Sequence, residues 1–433
     1  MTEEKFDYIP RLFDKELEFA LRSKGAVVVE GPKSCGKSTT SSRHAKTVVD
    51  LMPLETRQQY IDYAKVAPHE FLNDGEHPLM IDEWQHIYFI WDQIKVEVDR
   101  IRKFGQFILT GSVTDKAVFC KDFDENRHTG NGRIIRKRMR TMSLYESGDS
   151  DGSVSLSNLK NSIFKPQKSL KNIKDYSFLI CRGGWPLSLC DDRDVSLQQA
   201  KDFYEITVSD DIFSLKSIQL RKDEHKARQV LRSYARNVSI AASDQTLIDD
   251  CVSKDETFDE ETFSKYIQAL KYLFVIEELP AWNPNLRSKT AIRSKPTRHF
   301  VDPSIAAAAL KITPESIFKD MSTFGLLFES LAVRDLRIYA DSIGASVYKY
   351  RDSKKREADI VIQFSDGSWA LFEVKLGDSS DIEDASKKLL DIANDIDTEK
   401  TGKPAFCAVI TKGPLAYKRP DGVFVIPLAC LKP

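Results

Sequence analysis

The residues with the most chemistry in the least chain are Gly31, Pro32, Lys33, Ser34, Cys35, Gly36, Lys37 and Ser38, which fit GxxxxGK[ST]. At that spacing the glycines let main-chain N–H groups curl around phosphates. Lys37 then reaches the β and γ phosphates, and Ser38, followed by Thr39, offers a hydroxyl to Mg²⁺. ATP with Mg²⁺ is the ligand expected here. A second stretch, "PLMIDEWQ" at 78–85, is a short apolar strand ending in two carboxylates. Asp82 would hold Mg²⁺ through water, and Glu83 would orient and deprotonate the attacking water. A third, "FILTGS" at 107–112, ends in Thr110 and Ser112, either of which could sense the γ-phosphate. The sequence does not separate them, and strand-to-turn junctions favour such residues for local reasons as well.

Another constellation lies near the other end. "READIVIQFSDGSWALFEVKLG" at 356–377 sets two alternating strands around a Ser-Asp-Gly turn, so Glu373 and Lys375, two apart, share one face, with Asp359 on the partner strand. This is the Asp…Glu-x-Lys arrangement of PD-(D/E)XK nucleases, where two carboxylates bind Mg²⁺ (or Mn²⁺) and the lysine orients the water that attacks a phosphodiester. As a pattern it is weak, because charged residues alternate with apolar ones on any half-exposed strand. Cleavage and simple grip both stay open. Upstream, Glu329 sits among Leu327, Phe328, Leu331 and Ala332, where a carboxylate needs a partner to offset its desolvation.

Binding of DNA is expected from "NLRSKTAIRSKPTRH", which carries Arg287, Lys289, Arg293, Lys295 and Arg298 without an acidic residue. Such a loop gives salt-sensitive, sequence-blind affinity for a phosphate backbone; the plainer reading is a solvated basic loop. Lys265, Gln268 and Lys271 would face outward from the helix before it, with Phe263, Ile267, Leu270 and Phe274 packed inward.

The elements that must position these groups read as follows. Strand Ala26 to Glu30 runs into the phosphate loop and a helix starts near Gly36, while "IYFIWDQIKVEVDRIRKF" has helical spacing; strands alternating with helices predict a mostly parallel sheet. "HTGNGRIIRKRMR" reads as a strand of alternating charge. "ESGDSDGSVSLSN" at 146–158 is the clearest break in composition and predicts an exposed loop closing that sheet. From about 159 to 220 the pattern is helical, as a lid would need. From 222 to 309, two amphipathic helices and then "FVIEELPAW" give the order of a winged helix-turn-helix. Helix 381–398 and strands 405–411 and 423–428 close a C-terminal α/β sheet.

Together these residues resemble bacterial and archaeal AAA-type ATPases with a P-loop domain in front and a PD-(D/E)XK-like domain behind. The resemblance rests on the phosphate loop, Asp82-Glu83, Leu109 to Ser112 and Gly132-Arg133-Ile134, and continues through "MSLYESG" (142–148), "RGGWP" (182–186) and "RHFVDPSIAAAAL" (298–310). It implies an α/β multidomain chain: a P-loop AAA-type parallel sheet over 1–150, a helical lid over 151–221, a winged helix-turn-helix over 222–310 and a PD-(D/E)XK nuclease-like domain over 311–433. It further implies that Glu329 completes a quartet with Asp359, Glu373 and Lys375, and that "RGGWP" is a hinge in a nucleotide-sensing lid, the alternative being an ordinary packed turn. Arg133 could act as an arginine finger, within its own subunit or across a homo-oligomer, or be no more than a solvated strand edge.

Bulk composition frames these readings. A chain of 433 residues, 41% hydrophobic and 30% charged, is a soluble multidomain type. It has no apolar run of membrane-spanning length, and the acidic start "MTEEKFDYIP" is not that of a secretory leader. A cytoplasmic protein with no membrane partner is expected. Seven cysteines without a CxxC pair, and seven histidines without ligand spacing, suggest neither a disulfide framework nor a zinc site. The net charge of −1 hides basic runs at 133–140 and 287–298 and an acidic one at 381–399.

Overall fold

The structure, a computed structural model, describes residues 8–112, 132–215, 218, 220–252, 258–284, 295–352, 354–377, 379–396 and 401–433. Arg287, Lys289 and Arg293 therefore lie outside the described residues. The chain divides into two compact units, one of Met1–Thr141, Asp211–Arg221 and Gln268–Phe274, the other of Met142–Asp210, Lys222–Ile267 and Val275–Pro433. The three later modules expected from the sequence fall within, or mostly within, the second.

The first unit is built on five parallel strands, β1 (Ala26–Glu30), β2 (Thr47–Asp50), β3 (Leu79–Asp82), β4 (Phe107–Gly111) and β5 (Ile134–Arg138), in the order β2-β3-β4-β1-β5. Alternation sorts their side chains to two faces. Val28, Ile81 and Leu109 pack with Ile90, Trp91 and Ile94 of helix Ile90–Ile101, whereas Val27, Val29, Met80 and Ile108 pack with Phe13, Leu17 and Ala20 of helix Leu12–Ser23. Burial on both faces is why these strands read as continuous apolar runs. Parallel alignment also brings the carboxyl ends of β1, β3 and β4 side by side, the usual place for a ligand in such sheets.

The second unit contains a seven-stranded mixed sheet in the order β7-β12-β13-β11-β10-β9-β8 and a two-stranded piece, β14-β6. Its strands are β6 (Val154–Ser155), β7 (Gln167–Lys168), β8 (Ser346–Arg351), β9 (Glu357–Gln363), β10 (Trp369–Lys375), β11 (Phe406–Thr411), β12 (Leu415–Lys418), β13 (Phe424–Pro427) and β14 (Leu431–Lys432). Helix Ser379–Asp395 buries Ala385, Leu389, Ile392 and Ala393 against Val361, Leu371 and Val409.

The Ser- and Gly-rich stretch at 146–158 is not the exposed loop its composition suggests. Ser150 Oγ donates to the carbonyl of Leu431 at 2.7 Å and Ser155 Oγ to that of Pro433 at 2.6 Å, while Val154–Ser155 pairs with the chain's last strand. Short hydroxyl side chains here satisfy buried backbone groups instead of facing water.

"RGGWP" proves to be a packed turn. Gly184 N donates to Asp302 Oδ2 at 3.0 Å, Met142 N donates to the carbonyl of Gly184 at 2.7 Å, and Trp185 Nε1 donates to Ser304 Oγ at 3.1 Å. A Cβ at Gly184 would come within 2.0 Å of the Met142 carbonyl oxygen. Arg334, on helix Met321–Ser342, donates to Asp302 Oδ2 at 3.0 Å and to Asp335 Oδ1 at 2.7 and 2.9 Å, and Asp335 Oδ2 accepts from Leu144 N at 3.1 Å. Three motifs far apart in sequence thus meet in one buried polar cluster, in which every charge has a partner.

Helices Glu224–Arg236, Asp244–Cys251 and Glu260–Tyr272 precede a hairpin whose bridges are Ile276 with Phe300 and Leu279 with Thr297. The hairpin is not free-standing: Ala281 bridges to Lys349 on β8, and Trp282 enters the core of the mixed sheet.

Candidate functional site

After β1 the phosphate loop turns through Ser34, with φ 60°, and Gly36, with φ 98°, into helix Lys37–His44. The second value is one that glycine reaches without strain. Lys37 is 5% exposed, and its Nζ donates to the carbonyls of Gly31 at 3.0 Å and Pro32 at 2.8 Å. Cys35 turns its side chain into the core, with Sγ toward the carbonyl of Met139, so only its main chain faces the loop. Thr39 is exposed in the first turn of the helix, and Lys33 reaches sideways to the carboxylate of Asp211.

At the ends of β3 and β4 the expected partners converge. Asp82 Oδ1 accepts from Ser38 Oγ at 2.9 Å, from the hydroxyl of Thr110 and from Glu83 N at 3.2 Å. Glu83, left-handed at φ 54°, is held by Gln85 through one oxygen and by Ser112 Oγ at 3.2 Å through the other. The structure therefore separates the two hydroxyls that the sequence left equivalent. Thr110 donates to Asp82 and Ser112 to Glu83. A hydroxyl and a carboxylate side by side are hard oxygen donors that fit Mg²⁺, and Lys37 supplies the charge that fits a polyphosphate.

Arg133 requires a correction. Its carbonyl accepts from Ala26 N at 3.1 Å and its Nε lies 2.5 Å from Asp99. That is the amino end of β1, about 16 Å from the phosphate loop at 3.3 Å per strand residue. Parallel strands place it at the wrong edge of the sheet for a finger within its own subunit. Sequence reasoning also missed Arg11, a 7%-exposed guanidinium that donates to the carbonyls of Cys35 at 2.8 Å and Arg140 at 2.9 Å. "IPRLF" carries no pattern that would have shown it.

In the second unit Glu329, Asp359, Glu373 and Lys375 are brought into one electrostatic neighbourhood. Burial, reinforced by the nearby Asp359, pushes the carboxyls of Glu329 and Glu373 up, Glu329 well above the ordinary range. The Lys375 ammonium is burdened by burial, yet Glu373, Asp359 and Glu329 together raise it. Two further lysines, invisible to the motif, take part. Lys388 of helix Ser379–Asp395 bonds Glu373, and Lys349 of β8 lies 3.6 Å from Glu329. Asp359 Oδ2 accepts from Val374 N at 2.9 Å and Glu373 Oε1 meets Lys375 Nζ at 2.9 Å. Glu329 Oε1 and Glu373 Oε2 are buried without a hydrogen-bond partner. Among the described residues, however, no three carboxylates, histidines or cysteines are grouped to hold a metal ion. As arranged, lysines counter the carboxylates, and the expected joint ligation of Mg²⁺ or Mn²⁺ by Glu329, Asp359 and Glu373 does not fit these side-chain positions.

The nucleic-acid residues scatter. Arg298 is 6% exposed and bound to the carbonyl of Ala242, to Glu278 at 3.0 Å and to Asp244, so it braces the hairpin and is closed to a phosphate backbone. Lys265 pairs with Glu261 at 2.6 Å one helical turn away, Gln268 donates to Tyr272 at 2.9 Å, and Lys271 and Lys295 are exposed. Among the described residues no helix is long and apolar enough to cross a membrane.

Residues 23–147 match the model of an AAA domain, residues 173–316 that of a domain of unknown function (DUF8612), and residues 324–431 that of another (DUF4143). No curated protein matches the chain. Among solved structures it is similar to a Walker-type ATPase of Pyrococcus abyssi, at 14% identity and TM-score 0.43 over 71% of this chain and 97% of that one. It is also similar to the ORC2 protein of Aeropyrum pernix in ADPNP–ADP complexes, at 11% identity and TM-score 0.32 over 72% of this chain and 92% of that one. Drosophila ORC bound to DNA matches at 12% identity and TM-score 0.19 over 69% of this chain and 85% of that one. None is similar enough to carry its activity over. The AAA match and the parallel sheet agree on a P-loop ATPase-type domain at the amino-terminal end.

Proposed function

We propose that this chain binds ATP with Mg²⁺ at residues 31–39, hydrolyses it, and uses the nucleotide state to change its grip on DNA. The observation that carries the reading is the convergence of Ser38 and Thr110 on Asp82 beside Lys37, with Ser112 on Glu83. Lys37 would leave the loop carbonyls for the β and γ phosphates, and Ser38 with Asp82 would hold Mg²⁺. The ion, when bound, neutralises charge developing on the transferred phosphoryl group. Glu83, oriented by Ser112 and Gln85, accepts the proton of the attacking water. An arginine finger at Arg133 is compatible only with a homo-oligomer in which it faces a neighbour's site.

DNA binding is the finer part of the proposal, supported by the three helices and following hairpin, an order found in winged helix-turn-helix modules, and by exposed Lys271 and Lys295. In the favoured reading the C-terminal α/β module, nuclease-like in the order of its elements, grips without cutting, because lysines already counter its carboxylates. Metal-dependent DNA cleavage with Mg²⁺ or Mn²⁺ is the second reading. Buried Glu329 Oε1 and Glu373 Oε2, which lack a hydrogen-bond partner, favour it, and it requires Lys349 to give up Glu329 and Lys388 and Lys375 to give up Glu373.

Hydrolysis and plasmid nicking measured side by side test both. Lys37→Ala should abolish hydrolysis, and Asp359→Ala should leave it intact. Absence of ATP turnover by the wild type, with and without DNA, refutes the principal reading; nicking lost only in Asp359→Ala would replace grip by cleavage.

A further inference from the structure

The phosphate loop is held by a residue that no motif contains. Lys33, the third residue of the loop and 46% exposed, forms an ion pair with Asp211, whose side chain is only 10% exposed. Asp211 ends the π-helical turn Thr207–Asp211 and opens the stretch Asp211–Arg221, which belongs to the first unit although the residues on either side of it along the chain belong to the second. Lys37, meanwhile, is folded back onto Gly31 and Pro32. Both loop ammonium groups are thus engaged by oxygens of the protein itself, one by main-chain carbonyls and one by a carboxylate. A polyphosphate entering the loop brings several anionic oxygens to the same two cations, and so competes directly with Asp211 for Lys33.

We propose that Asp211 is a nucleotide-responsive positioning residue. Its carboxylate holds Lys33 against an incoming polyphosphate, which displaces it on binding, so that Asp211–Leu215 is tethered or released with the nucleotide. The inference rests on the nucleotide reading of residues 31–39. Because a carboxylate that must be displaced opposes binding, removing its charge tightens binding, the reverse of what loss of a structural contact does.

The test is titration of the full chain with a fluorescent N-methylanthraniloyl ATP analogue and Mg²⁺. Asp211→Asn should lower the Kd about fivefold, the scale of a half-exposed ion pair, Asp211→Glu should stay near wild type, and Asp211→Asn in a Lys33→Met background should change nothing. Hydrogen exchange at Val208–Leu215 should rise on nucleotide addition in the wild type and already be high in Asp211→Asn. An unchanged or raised Kd in Asp211→Asn, or the same gain without Lys33, overturns the proposal while leaving the nucleotide site standing. Failure of the wild type to bind the analogue overturns both.

Discussion

Replacing Arg334 by leucine should damage the second unit more than any surface ion-pair change. Arg334 is 2% exposed and Asp302 and Asp335 are 0% exposed, and three bonds of 2.7 to 3.0 Å join the guanidinium to the two carboxylates. The pairing holds the Asp302 carboxyl below its ordinary range, with help from Ser304 and Gly184, while burial raises Asp335. Leucine fills part of the volume but removes the guanidinium that both buried carboxylates share, and breaking such a network from one side costs about 3–5 kcal/mol. Those carboxylates also hold Gly184 N and Leu144 N, so the turn and the chain entering the unit loosen together. The assay is hydrogen exchange across helix Met321–Ser342, where about 4 kcal/mol is nearly a thousandfold loss of protection. Arg334→Lys, which keeps the charge but not the fork, should fall between. For contrast, Arg228→Ala removes a pair with Glu205 whose side chains are 40% and 55% exposed and should cost less than about 1 kcal/mol. Protection within tenfold of wild type in Arg334→Leu would refute the view that this cluster is held by its charge balance.

Gly184→Ala should destabilise by about 3 kcal/mol or more, because its Cβ meets the Met142 backbone, whereas Gly325→Ala, in open space on a helix, should stabilise by about 0.5–1 kcal/mol; thermal unfolding reads both. His299 is fully buried, its Nε2 has no partner, and burial with Arg337 and Lys349 nearby drives its pKa well below the ordinary 6.5. The unfolded chain then binds a proton that the folded one refuses, so stability is present above pH 6.5 and falls below it, by about 1.3 kcal/mol between pH 7.5 and 5.5; His299→Gln should abolish that part of the acid sensitivity in urea titrations. Thr110→Val should weaken Mg²⁺-dependent nucleotide binding about tenfold by removing a donor from Asp82, while Ser112→Ala should lower turnover with affinity unchanged; equal effects on both constants would undo the separate roles given to the two hydroxyls.

Where local pattern and tertiary context agree, the fold was legible. The apolar runs at 26–30, 79–82 and 107–111 became the central strands because burial on both faces demands continuous hydrophobicity. The helix burying Phe263, Ile267 and Leu270 followed from its period, whereas Phe274, also buried, lies past its end at Tyr272 with φ 55°. Composition misled at 146–158, since Ser and Gly read as solvated until Leu431 and Pro433 supply their partners. Charge misled at Arg298, which looks like its basic neighbours in sequence but meets Asp244 and Glu278 only after folding.

The GxxxxGK[ST] spacing, the Asp82-Glu83 pair and the strands leading to them could be read from residue order, because spacing along one segment of chain sets a turn and the donors it offers. Only folding shows that Thr110 meets Asp82 and Ser112 meets Glu83, that Arg133 lies at the amino end of the parallel strands, and that Lys349, Lys388, Arg11 and Asp211 come beside residues with which they show no kinship in sequence. Those outcomes depend on strand order and on which distant ion fills a desolvated partner's need, and neither is written in any local pattern.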